Sequence, residues 1–246
     1  MSEQQPLFGK RVARRSPPPA VSRSEPTAAY LELAAAARAT FRERGAPDLE
    51  SPGFRPAAAD FAEDADIRAL FEANFFGLAH LTRAVLPFMR AQGSGHVVNV
   101  SSMGGFVGRA GGGYYNATKF AVEGLSEALA NEAAPLGIKV LIVEPGPFRT
   151  DWAGRSLKTP KRPIDAYAET AIARRKATQG YNGIQPGDPV RGAHAIIDTV
   201  ESPNPPLRLV LGAVALDAIR GKLGAVREEI DAHEAVTLAA DYPKTA

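Results

Sequence analysis

The sequence contains no cysteine. Disulfides, thiolate metal sites and cysteine nucleophiles are therefore excluded, a composition that suits a reducing compartment. Excess charge is also scarce: 29 Lys and Arg stand against 27 Asp and Glu, and the small surplus lies in the first sixty residues. No apolar run reaches the ~18 residues a membrane helix needs, and residues 1–26 lack the apolar stretch of a secretory signal. The four histidines, His80, His96, His194 and His233, have no metal-ligand spacing. The expectation is a cytoplasmic protein with no membrane partner, no nucleic-acid partner and no metal.

What remains is an ordinary globular composition, 45% hydrophobic and 23% charged over 246 residues, enough for one large domain. Residues 1–26 are rich in Pro, Arg and Ser and are expected to form a disordered tail. Lys10, Arg11, Arg14 and Arg15 read more readily as solvated charge than as a nucleic-acid arm. A single α/β domain is expected over 27–246. It opens with an amphipathic helix, Thr27 to Arg44, carrying Tyr30, Leu33, Ala37 and Phe41 at helical spacing, followed by a breaker-rich loop over 45–60.

From about Asp64 a long helical pattern runs to Gln92 and stops at Gly93-Ser94-Gly95. A β-branched run over 96–101, a glycine-rich loop to Gly113, a helix over about 115–134 and an apolar run over 138–143 come next. A helix over 188–200 and the run 207–211 repeat the unit. Short apolar strands separated by helices predict a parallel sheet covered on both faces.

Ligands of such sheets bind beyond the carboxyl ends of the strands. Here those ends carry Ser101 and Ser102, and Glu144-Pro145-Gly146 running to Thr150. Tyr115 and Lys119 stand four apart at the start of the helix between the strands, so they share a face. A phenol is a poor acid or base near neutral pH, and a nearby ammonium favours its anion. A tyrosine tuned in this way can exchange a proton with an alcohol oxygen, and Ser102 can bond the same oxygen. The loop over 104–113 lacks both G-x-G-x-x-G and the Walker pattern, which argues against a phosphate cradle.

FEANFFG with Asn74, NVSSMGG with Ser102, YNATK with Tyr115 and Lys119, and VEPGPFRT with Pro145, Gly146 and Thr150 occur in one order and spacing. In these segments the chain, from about residue 53 to its C-terminus, resembles the short-chain dehydrogenase/reductase family. The resemblance implies a Rossmann-like α/β fold and an NAD- or NADP-dependent oxidoreductase that interconverts a carbonyl and a secondary alcohol. It makes Tyr115 the general acid/base, with Ser102 polarising the carbonyl. Lys119 would lower the tyrosine pKa and hold ribose hydroxyls, and Asn74 would support a water-linked proton path. Asn99, Tyr115, Lys119, Pro145, Gly146 and Thr150 would border the cofactor. Phe106, Val107, Tyr114, Phe148 and Trp152 would line a small ketone or alcohol substrate. The segment 151–186, with Lys158, Lys161, Arg162, Arg174, Arg175 and Lys176, falls where the family carries a lid; such charges suit an acidic substrate or simply a solvated helix. The long helices would pair two copies into a homodimer or homotetramer.

The resemblance does not extend to the family's glycine loop, T-G-x-x-x-G-x-G, or to the strands around it: no segment matches that pattern. Backbone N–H groups at such a turn normally hold the pyrophosphate. A second reading follows, that of a truncated or diverged relative that binds no cofactor and acts as an interaction protein or is inactive.

Overall fold

A computed structural model describes residues 62–154, 157 and 164–242. The expected tail, the helix 27–44, the loop 45–60, and Lys158, Lys161 and Arg162 lie outside the described residues.

The long helical pattern after residue 63 forms α1 (Asp64–Phe71), a π-helical turn (Glu72–Phe76) and α2 (Gly77–Gln92) in succession. The wide turn places Asn74 within reach of the next long helix, so the chain trades one regular turn for a side-chain bond, as π turns at functional sites often do. Gly93, at φ 69°, ends α2 in the left-handed region that glycine tolerates best.

Strand β1 (Gly95–Val100) leads into helix α3 (Gly113–Ala133), and strand β2 (Ile138–Pro145) follows. Gly137 turns the chain into β2 at φ 74°, and a Cβ there would strike the Gly93 carbonyl oxygen. Two glycine turns thus nest together and set the register, with Gly95 opposite Ile138 and Val100 opposite Val143. Helices α4 (Ala173–Gly180) and α5 (Pro189–Val200) precede strand β3 (Arg208–Leu211). Asp188 caps α5, its Oδ1 accepting from the main-chain N–H of Val190 at 2.9 Å, and Pro189 starts the helix where no donor is needed.

The three strands are parallel in the order β1-β2-β3, as the alternating pattern predicts for an α/β fold. β2 is the central strand, and only Lys139 on it is exposed. Val97, Val140 and Ile138 pack against Leu129 and Ala133 of α3, with Leu86 and Met89 of α2 closing the side. β1 departs from the expectation of two covered faces. Val97 and Asn99 are buried while Val98 and Val100 are 36% and 52% exposed, and β1 has a partner on one edge alone among the described residues. Two further helices, α6 (Ala213–Ala232) and the short α7 (Glu234–Leu238), follow β3. α6 buries Ala215 and Ile219.

Candidate active site

Beyond the carboxyl end of β1 the chain turns through Ser102 into a 3-10 turn, Met103–Gly105. The Ser102 Oγ accepts from the Gly104 N–H at 3.0 Å. The same hydroxyl is hydrogen-bonded to the Tyr115 phenol. The glycines here serve close packing: a Cβ on Gly104 would lie 2.8 Å from Asn116 Nδ2, and one on Gly105 would lie 2.5 Å from Ser101 Oγ.

Asn116 is buried and ties the loop to α3. Its Nδ2 donates to the carbonyls of Gly104 at 2.8 Å and Val107 at 3.2 Å, and its Oδ1 accepts from the Arg109 N–H at 3.1 Å. The glycine-rich loop is therefore fastened at three points.

Tyr115 lies in the first turn of α3, with the Trp152 ring 5.8 Å away, centroid to centroid. Burial pushes its phenol above the ordinary value, and the Ser102 bond pulls the other way. One turn later Lys119 donates through Nζ to the Val100 carbonyl at 2.9 Å. Burial lowers its ammonium to about 8, against an opposing pull from Glu123. The sequence makes Lys119 the group that acidifies the phenol; the effects acting on Tyr115 in the structure are burial and Ser102.

Asn74 reaches the same helix. Its Nδ2 donates to Thr118 Oγ1 at 3.2 Å, and that hydroxyl donates to the Tyr115 carbonyl at 2.8 Å. Ser102, Tyr115, Lys119 and Asn74 are thus brought together around the N-terminal half of α3. The remaining residues are placed differently. Asn99 is buried, with its Nδ2 committed to Ser126 Oγ at 2.9 Å. Pro145 ends β2, and the Gly146 N–H donates to Leu211 O at 2.9 Å, joining the ends of β2 and β3. Thr150 caps the 3-10 turn Asp151–Ala153, accepting from the Trp152 N–H at 3.4 Å. Phe148 packs against Gly187 and Gly192 beside a cleft of about 760 Å³ that also touches Arg149, Leu211 and Gly212. Phe106 lies against the Arg208 guanidinium, 5.6 Å from ring centre to carbon.

Several residues with a part in this geometry were given no role in the sequence reading: Thr118, Asn116, Glu123, Glu144 and Arg208. A signal existed for the last three. Glu123 repeats the four-residue stripe of Tyr115 and Lys119, and Glu144 and Arg208 are charges inside otherwise apolar strands, which need partners when buried. Among the described residues no group of three His, Asp or Glu could hold a metal, and no helix is long and apolar enough to cross a membrane.

The chain resembles known proteins in both sequence and fold. The family model for short chain dehydrogenases matches residues 53–161. The solved structure of a short-chain dehydrogenase from Streptomyces avermitilis is 42% identical, with a TM-score of 0.73 over 86% of this chain and 77% of that one. An oxidoreductase of Botryotinia fuckeliana is 37% identical over 172 residues, 69% of this chain and 62% of that protein. A 3-ketodihydrosphingosine reductase of Bacteroides thetaiotaomicron is 38% identical over 158 residues, 63% of this chain and 58% of that protein. The chain belongs to the short-chain dehydrogenase/reductase family. It spans about three fifths of the length of these two curated relatives.

Proposed function

We propose that this chain is an NAD(P)-dependent oxidoreductase that interconverts a small ketone and a secondary alcohol, with Tyr115 as the proton-transferring group. The observation that carries the reading is the hydrogen bond between Ser102 and Tyr115 with Lys119 one helical turn away. The names of the relatives, an oxidoreductase and a reductase, support the same class of chemistry.

Lys119 fits a dinucleotide's ribose: an ammonium has three donors, and one is spent on Val100. Pro145, Gly146 and Thr150, at and just beyond the end of β2, would border the nicotinamide. A bound nicotinamide dinucleotide supplies the hydride. The protein's own residues handle the oxygen. Ser102, whose Oγ is fixed by the Gly104 N–H, turns its hydroxyl proton from the phenol to the substrate carbonyl and orients it. Tyr115, kept protonated by burial, gives its proton to that oxygen as negative charge develops in the reducing direction and takes it back in the other. Lys119, charged below about 8, stabilises the phenolate left behind. Asn74 steadies the tyrosine's turn through Thr118, and Trp152 shields the phenol from one side.

The missing glycine pattern favours the second reading, a relative that has lost nucleotide binding. Titration of the full chain with NADH and NADPH, followed by nucleotide fluorescence, separates the two. Saturable binding by either, then oxidation of the bound nucleotide by a ketone, is expected. No binding at millimolar nucleotide defeats the enzymatic reading. Exposed Leu81 and Phe88 on α2 and Phe120 on α3 support pairing of two copies along these helices, and a monomer by light scattering would count against it.

A further inference from the structure

The proposed chemistry leaves unused a buried ionic cluster just below Lys119. Glu123 on α3 is 6% exposed and Glu144 on β2 is 0% exposed, and their carboxyls converge on one guanidinium. Arg208 on β3 places Nε 3.3 Å from Glu123 Oε2 and 3.1 Å from Glu144 Oε1, while its Nη2 lies 3.0 Å from Glu127 at the solvent rim. The Ser101 hydroxyl sits beside Glu123. One guanidinium cannot neutralise two buried carboxylates and a third at the rim, and bare buried charge is costly. Both carboxyls are therefore shifted above the ordinary carboxylate range. Burial is the largest cause, raising Glu123 and pushing Glu144 up to about 7.

Helical spacing sets Tyr115, Lys119 and Glu123 on one stripe of α3. The lysine stands between the phenol and the cluster. Glu123 also packs under the 3-10 turn that follows Ser102: a Cβ on Gly105 would lie 3.0 Å from its Oε1. The same side chain thus borders the turn after Ser102 and stands one helical turn from Lys119.

We propose that Glu123 is a positioning residue that acts through Lys119: its carboxylate, one turn further along α3 and fixed by Arg208, keeps the lysine ammonium charged inside the site. The inference rests on reading Tyr115 and Lys119 as the proton-transfer pair. The groups facing Glu123 are Lys119 and Glu127 from α3, Glu144 from β2, Arg208 from β3 and the Ser101 hydroxyl after β1. A merely structural Glu123 would affect stability and leave the lysine's titration where it is.

Lysine side-chain NMR on the full chain reads this directly. In Glu123→Gln the Lys119 midpoint is expected to fall by about one pH unit, and in Glu123→Asp to return part of the way. Glu144→Gln, which removes a cluster charge that is off the lysine's stripe, is expected not to lower it. An unmoved or raised midpoint in Glu123→Gln overturns the proposal, as does an equal fall in Glu144→Gln. Should Glu123→Gln not fold, the wild-type chain decides. The Lys119 Nζ resonance must then shift over the same pH range as the Glu123 carboxyl carbon, and a lysine blind to that step overturns it. None of these readings needs turnover, so failure to find hydride transfer defeats the function above and leaves this test intact. Where turnover is present, the alkaline limb of kcat is expected to follow the Lys119 midpoint downward in Glu123→Gln.

Discussion

Lys119 and Val100 are joined by a 2.9 Å hydrogen bond from Nζ to the main-chain oxygen, which ties the N-terminal half of α3 to the last residue of β1. The bond aims a long, flexible side chain at the strand end where Ser102 emerges. It holds the ammonium in place before any ligand arrives, so less rotamer entropy is lost on binding.

Val100 is 52% exposed, so water can take the lysine's place on its carbonyl. Lys119→Met is therefore expected to shift Tm by no more than a few degrees, while turnover falls by at least about 10²-fold as the phenolate loses its neighbouring charge. Thermal unfolding beside steady-state kinetics checks both halves. A large fall in Tm with kcat retained would reverse the assignment.

Tyr115→Phe removes the proton donor and little else, because the ring stays against Trp152. Turnover is expected to drop by about 10²- to 10⁴-fold with nucleotide affinity preserved. Ser102 loses one hydrogen-bond partner, a change on the order of 1 kcal/mol in stability. Single-turnover nucleotide oxidation and chemical denaturation measure the two effects separately.

Asn116 is the residue on which the glycine-rich loop depends, with three hydrogen bonds from a buried amide. Asn116→Ala leaves the Gly104 and Val107 carbonyls and the Arg109 N–H without that partner. A loss of about 2–4 kcal/mol is expected. Amide exchange over 104–112 should quicken more than exchange in β2. Uniform exchange rates across both segments would show that the loop is fastened by something else.

The architecture was largely legible because its signals are repeated. Three apolar runs alternate with helical patterns, and each predicted strand lies within a residue or two of the observed one, with β1 starting at Gly95 and β2 ending at Pro145. Tyr115, Lys119 and Ser102 were legible for a similar reason: helical spacing and a strand end place them together whatever the surroundings. Asn99 shows where this fails. Alternation along β1 decides which face a side chain takes, and that face turned out to be the packed one against Ser126. The π turn at Asn74 left no mark, because Phe71, Phe75, Leu78 and Leu81 keep spacings of three and four through it. The ionic cluster could not be assembled from sequence because Glu123, Glu144 and Arg208 come from three elements, and only the strand order brings them into contact.

The same cluster gives stability an unusual pH dependence. Glu144 is raised from 4.5 to about 7 in the folded chain, and Glu123 moves in the same direction. A carboxyl whose folded pKa exceeds its unfolded value binds more protons in the folded state between the two, so its contribution weakens as pH climbs through that window. From pH 4.5 to 7 the cluster is therefore expected to lose stability, where ordinary paired carboxylates would gain it. Glu144→Gln removes the larger part of this slope. Compared with wild type, it should be relatively more stable at pH 8 than at pH 5, by on the order of 1–3 kcal/mol. Urea unfolding at the two pH values measures the difference. A variant whose offset from wild type is the same at both would show that the Glu144 carboxyl titrates alike in the folded and unfolded chain.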